Sequence, residues 1–247
     1  MLDDFRESRR LYEARYILKN MPPKVETHAM RIGTISHITV LQPHKFNESV
    51  SIIPPSALND DGNKKGSNWT TYRDAPEQQG RYLAKESEIV DILGMAAKVR
   101  KMVDWIASPK AIAEQPIFWT DEATGLKLRA LPDFILRLRK SILALDLKTT
   151  ASVKWFHKDL KESYWLQDSH YRAALRAEYG VDVTFVFAAV EKTPPYLFGA
   201  RQIGPLTRQR ADEKWRETLN QLAECYESGD WSDPGEDDVQ EVEFDIY

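Results

Sequence analysis

The sequence predicts an α/β fold: a central mixed β-sheet flanked by helices. Three observations predict it. Residues 132–150 read as two short apolar strands around a turn at Lys140-Ser141, and residues 181–191 form the most β-rich run of the chain. Stretches with helical apolar spacing stand on both sides of these strands. The resulting order of helices, an antiparallel hairpin, a helix, two strands and a helix suits one mixed sheet covered by helices.

Each element has its own signal. Residues 2–20 space Leu2, Phe5, Leu11, Tyr12, Ala14, Ile17 and Leu18 for one helix with Arg6, Arg9, Arg10 and Arg15 between them, and Met21-Pro22-Pro23 stops it. Residues 29–42 are a second apolar-periodic segment, with His37 in its middle and Pro43 at its close. Val50-Ser51-Ile52-Ile53 makes a short strand, and residues 59–68, rich in Asn, Asp and Gly, a loop. A helix follows over 86–107, with Ile89, Ile92, Leu93, Ala96, Val99, Val103 and Ile106 on its apolar face. Residues 112–121 read as a strand leading into a turn at 122–125. Beyond Thr150, a helix over 152–179 is stopped by Gly180, strands cover 181–191 and 196–203, and a helix over 205–227 ends near Gly229.

Composition sets bounds. A chain of 247 residues suits one sizeable domain over its whole length: a helical part to about residue 110, a core from about 111 to 204, then a helix and an acidic tail to 247. The single cysteine, Cys225, excludes an internal disulfide. With no apolar run near the roughly 20 residues of a membrane span and no secretory pattern at the start, a soluble cytoplasmic protein is expected. Net charge is −4, but from Asp230 onward eight of eighteen residues are acidic and none is basic, so the remainder carries +4 (−4 minus −8). A locally basic groove is therefore compatible with the overall charge.

The chemistry centres on Asp133, Asp146 and Lys148, which interrupt otherwise apolar strands. Strand alternation places Asp146 and Lys148 on one face about 7 Å apart, with Leu147 entering the other. Burying two acids and a lysine is costly unless they pair or bind a cation, which points to a metal site.

Pro132-Asp133, a spacer, then Asp146-Leu147-Lys148 resembles the motif of the PD-(D/E)xK nuclease superfamily. Four further segments resemble the exodeoxyribonuclease VIII (RecE-type) exonucleases of phages and prophages, which are related to lambda exonuclease. They are Met30 to Phe46 around His37, Glu114 with Ile117-Phe118-Trp119 and Thr124-Gly125-Leu126, Gln167 with Tyr171, and Glu191 to Tyr196. The resemblance spans residues 2–231 and implies a restriction-endonuclease-like core. One position departs: Leu131 stands before Pro132 where those enzymes carry a basic residue.

Hydrolysing a phosphodiester needs an activated water and neutralisation of charge on the phosphate, which two divalent ions supply together. Oxygen-rich ligands suit Mg²⁺, with Mn²⁺ as alternative. Asp133, Asp146 and the Leu147 carbonyl are the expected metal ligands, with His37 added by resemblance. Lys148 would hold the attacking water and balance charge, and Glu114 would orient a water or bind a second ion. Gln167 and Tyr171, four apart on one helix face, either orient the active strand or only pack. Arg31, Lys98, Arg100 and Lys101 are candidate DNA contacts, with a solvated charged face as the plain alternative.

The family implies 5′→3′ digestion of double-stranded DNA ends in a bacterial host cell, leaving 3′ single strands for recombination. It also implies a ring-shaped homo-oligomer and a single-strand annealing partner. The alternatives are a repair or CRISPR-type nuclease of the same superfamily, disfavoured by the single cysteine, and a non-catalytic DNA-binding or assembly protein that keeps the fold.

Overall fold

The computed structural model describes residues 2–236; the acidic segment from 237 to 247 lies outside the described residues. Its helices are α1 (Leu2–Glu7), α2 (Arg9–Tyr12), α3 (His28–Leu41), α4 (Phe46–Ser49), α5 (Gly66–Asp74), α6 (Glu86–Met102), α7 (Phe156–Asp159), α8 (Trp165–Tyr179) and α9 (Pro205–Ser228). The strands are β1 (Val50–Ile52), β2 (Tyr82–Ala84), β3 (Ala111–Ala113), β4 (Ile117–Thr120), β5 (Lys127–Ala130), β6 (Phe134–Arg137), β7 (Ser141–Thr150), β8 (Asp182–Glu191) and β9 (Phe198–Arg201). A five-stranded sheet runs in the order β3-β6-β7-β8-β9, while β1-β2 and β4-β5 form separate pairs. The β7–β8 contact is parallel and the other three in the large sheet are antiparallel, so the sheet is mixed, as the sequence predicts.

Alternation along β7 separates two cores. Leu145 and Leu147 enter one that includes Ile32 and Ile35 of α3 and Ile92, Met95 and Val99 of α6. Ile142 and Ala144 enter the other, with Phe185 and Phe187 of β8 and Ala174 and Leu175 of α8. Asp146 and Lys148 continue the even-numbered face, so they lie on the α8 side. On the opposite side, α6 approaches Tyr196 so closely that a Cβ on Gly94 would lie 2.2 Å from its ring. A larger residue at 94 would have to displace the Tyr196 ring.

Several boundaries differ from expectation. The predicted 2–20 helix breaks at Ser8, whose extended backbone starts α2 and whose hydroxyl caps Leu11 N–H; a π-helical turn over Glu13–Ile17 follows. The 152–179 helix begins at Phe156 and passes through a π-helical turn, Leu160–Tyr164, before α8. The 86–107 helix ends at Met102, followed by a 3₁₀ turn over Asp104–Ala107. Residues 59–68 end in the start of α5 rather than wholly in a loop, and β2, unpredicted, pairs in parallel with β1. Residues 112–121 are two strands in two different sheets, not one. Glu114 divides them with φ +52°, a left-handed conformation uncommon for a side chain of its size, and Pro116 follows. At the other end, α8 and α9 stop where predicted, at Gly180 and Gly229, both left-handed.

Candidate active site

The site lies where β7 outlasts its neighbour. Pairing of β6 with β7 ends at Phe134↔Leu145, whereas β7 continues to Thr150 along β8. On the open side the Leu147 peptide needs partners. Asp133, just ahead of β6, accepts the Leu147 N–H on Oδ2 at 2.6 Å, and His37 Nε2 on α3 donates to the Leu147 carbonyl at 2.7 Å. Because a carbonyl can only accept, Nε2 carries a proton and Nδ1 is turned toward the acids. Nδ1 lies 3.5 Å from Asp133 Oδ2 and 3.9 Å from Glu114 Oε1.

Glu114 reaches this point because of its backbone. Its N–H donates to the Asp133 carbonyl at 3.1 Å, one step past the last β3–β6 pair, and the left-handed φ then turns the chain out of the sheet. A strained residue at a cluster of ligating groups is a functional signal in its own right. His37, Glu114 and Asp133 present three donor atoms within 4.8 Å of one another. Burial disfavours an imidazolium at His37, yet Asp133 and Glu114 outweigh it and raise its pKa to about 10. Positive charge is thus strongly favoured at this point, and one nitrogen with carboxylate oxygens is a donor set suited to Mg²⁺ or Mn²⁺. The residues fit a divalent cation.

Asp146 and Lys148 form the second half. Burial pushes Asp146 up to about 6 against the pull of Lys148, whose Nζ is 2.6 Å from Oδ2. Burial would lower Lys148, but Asp146 and Asp133 raise it, so the ammonium stays charged. Gln167 on α8 donates to Asp146 Oδ1 at 2.7 Å. Oδ2 is buried without a well-directed hydrogen bond despite the nearby ammonium, so it is an acceptor left with unused capacity. The two groups adjoin through the Leu147 peptide, and the Asp133 carboxylate adds to the upward push on Asp146.

Tyr171 is less central than Gln167. Its ring packs edge-on against Phe185, with centroids 5.6 Å apart, and burial pushes its hydroxyl up to about 12. Sequence reasoning missed Tyr164, whose ring centroid is 4.5 Å from Lys148 Nζ; its only signal is the three-residue spacing to Gln167. Among the suggested DNA contacts, Arg31 lies 3.8 Å from Glu88, and Arg100 donates to the Thr39 carbonyl at the end of α3. Lys98 is half-buried and Lys101 exposed on α6. None of these four joins the His37 or Asp146 clusters.

Among solved structures, the chain resembles one described as a "Putative exonuclease" from Eubacterium rectale, with TM-score 0.60 and 13% identity over 100% of this chain and 88% of that one. At that identity the likeness is one of fold. A second, SSO0001, matches with TM-score 0.28 at 15% identity over 87% of this chain and 89% of that one, too weakly to indicate a common fold. No curated protein matches. Residues 1–239 match the PDDEXK-like domain of unknown function DUF3799. The chain belongs to this PDDEXK-like family, DUF3799, and through it to the PD-(D/E)xK nuclease superfamily.

Proposed function

We propose that the protein is a divalent-metal-dependent exodeoxyribonuclease that digests linear double-stranded DNA. The observation that carries this reading is the meeting of His37, Glu114 and Asp133 within 4.8 Å, beside the buried Asp146–Lys148 pair. His37, Glu114 and Asp133 would hold one ion, and Asp146 with the Leu147 carbonyl a second. Bound there, Mg²⁺ or Mn²⁺ would polarise the phosphodiester and stabilise its entering and leaving oxygens. Lys148 orients the attacking water and balances the charge gathering on the phosphate. Gln167 fixes the Asp146 carboxylate, and Tyr164 gives the Lys148 ammonium a face to rest on.

The RecE-type motifs support the finer reading. Digestion then runs 5′→3′ and leaves 3′ tails for strand annealing, in phage or prophage recombination in the bacterial cytoplasm, by a ring-shaped homo-oligomer working with an annealing protein. Linear duplex labelled at either end tests it, incubated with Mg²⁺, Mn²⁺ or EDTA. Loss of the 5′ label first, no cleavage in EDTA, and a fall on the order of a thousandfold in D146A and K148A are expected. Digestion that continues in EDTA ends the metal reading, early loss of the 3′ label reverses the polarity, and a monomeric mass in solution removes the ring.

A further inference from the structure

We infer that Trp155, set between Lys154 and Lys158, is a stacking platform for a base of the DNA strand entering the site. This inference rests on the nuclease reading above and adds a substrate contact to it.

Trp155 stands on the turn that leaves β7, the strand that carries Asp146 and Lys148. The turn sits at the carboxyl ends of the parallel pair β7 and β8, where ligands of open α/β sheets are commonly bound. Of the seven tryptophans it alone is exposed, at 50%. The exposure is built in. Val153 N–H donates to Glu191 Oε1 at the end of β8 at 2.9 Å, and Ser152 N–H to Thr150 Oγ1 at 3.2 Å. Val153 packs where a Cβ on Gly199 would lie 2.6 Å from its Cγ1, so β9 carries glycine at the point of contact. Val153 and Phe156 are both buried. The turn is therefore anchored on each side of Trp155, which is left facing solvent at the cost of the apolar area it does not bury.

The charges around it complete the surface. Lys154 Nζ is 5.0 Å and Lys158 Nζ 4.6 Å from the centre of the indole ring. Both ammonium groups lie over the indole ring and would swing off it to the flanking phosphates as a base takes the face; an aromatic platform with cations around it is the recurring composition of single-strand contacts. Phe156 also ties the turn toward the catalytic side, since its ring is 6.3 Å from that of Tyr164, which in turn faces Lys148.

The test compares wild-type, W155A and W155F enzyme on linear duplexes with a single abasic nucleotide at each of the terminal positions of either strand. On intact duplex, W155A should raise KM on the order of tenfold with kcat unchanged, and W155F should retain most of the wild-type KM. One abasic position should raise the wild-type KM to the W155A level and leave W155A unaffected. An unchanged KM in W155A, or abasic penalties equal in both enzymes at every position, overturns the stacking role. A wild-type enzyme that cleaves none of the duplexes with Mg²⁺ or Mn²⁺ overturns the nuclease reading itself, an outcome told apart by the wild-type control.

Discussion

Gln167 stands outside the His37–Glu114–Asp133 group, yet its amide holds Asp146 Oδ1 at 2.7 Å, so in the proposed reaction it would act as a positioning residue. Groups that orient a ligating carboxylate typically contribute roughly 10–100-fold to affinity or activity. Q167L should therefore lower kcat by about tenfold to a hundredfold with KM nearly unchanged. A kcat equal to wild type in steady-state assays would mean that Lys148 alone holds Asp146. At this scale the sequence is informative where a polar residue interrupts an apolar strand, because burial makes such a residue costly; Asp133, Asp146 and Lys148 were legible for that reason. His37 and Glu114 were not legible from chemistry alone. A histidine in an apolar helix has an ordinary core reading, and Glu114 gains its place from a left-handed φ that no propensity announces. Only family-like motifs singled them out. Tyr164 escaped because an aromatic in an amphipathic helix is indistinguishable from core.

Elements were legible where one periodicity acted over many residues. Both β7 and β8 run for ten residues, and α9 for twenty-four, close to the expected spans. Short elements failed because tertiary contacts set their limits. Ser8 ends α1 with its hydroxyl donating to Asp233 at 2.6 Å, a contact 225 residues away in sequence. Contacts of this kind also make α8 a hub. His170 donates from Nε2 to the Arg129 carbonyl of β5 at 2.9 Å and accepts from Trp215 Nε1 of α9 on Nδ1 at 3.2 Å. The carbonyl cannot donate and the indole cannot accept, so the neutral ring is required. Burial lowers the His170 pKa below its usual 6.5, although the Arg129 carbonyl opposes the shift. The unfolded chain then binds more protons just below pH 6.5, so stability from this residue is complete above that value and falls as pH drops toward the folded pKa. Urea denaturation at pH 7.5 and 5 should show wild type losing more stability on acidification than H170Q, which does not titrate there. Equal losses would place the acid sensitivity elsewhere.

Across the whole molecule, the three side chains of the proposed metal site come from separate parts of the architecture: His37 from the helix layer over one core, Glu114 from the break between two sheets, and Asp133 from just ahead of β6. They meet only when α3 is packed on β7 and β3 is paired with β6. The unfolded chain holds them far apart in sequence and has no comparable site. A cation that binds the folded state alone stabilises it by mass action, about 2.7 kcal/mol at a hundred times Kd. For a chain of this size that corresponds to a rise in Tm of about 5–10 °C. Melting the protein with and without saturating Mn²⁺ should show this rise, and E114A should show half of it or less, because one donor is gone while the packing that assembles the other two is intact. The E114A baseline without metal tests whether the Glu114 side chain supports the fold as well as the proposed site. Alanine bears the same left-handed backbone cost as glutamate, so a side chain that serves only the site leaves E114A melting close to wild type in EDTA. A large drop there would instead make Glu114 part of the fold's own support, and an Mn²⁺ shift equal in both proteins would remove it from the ligand set.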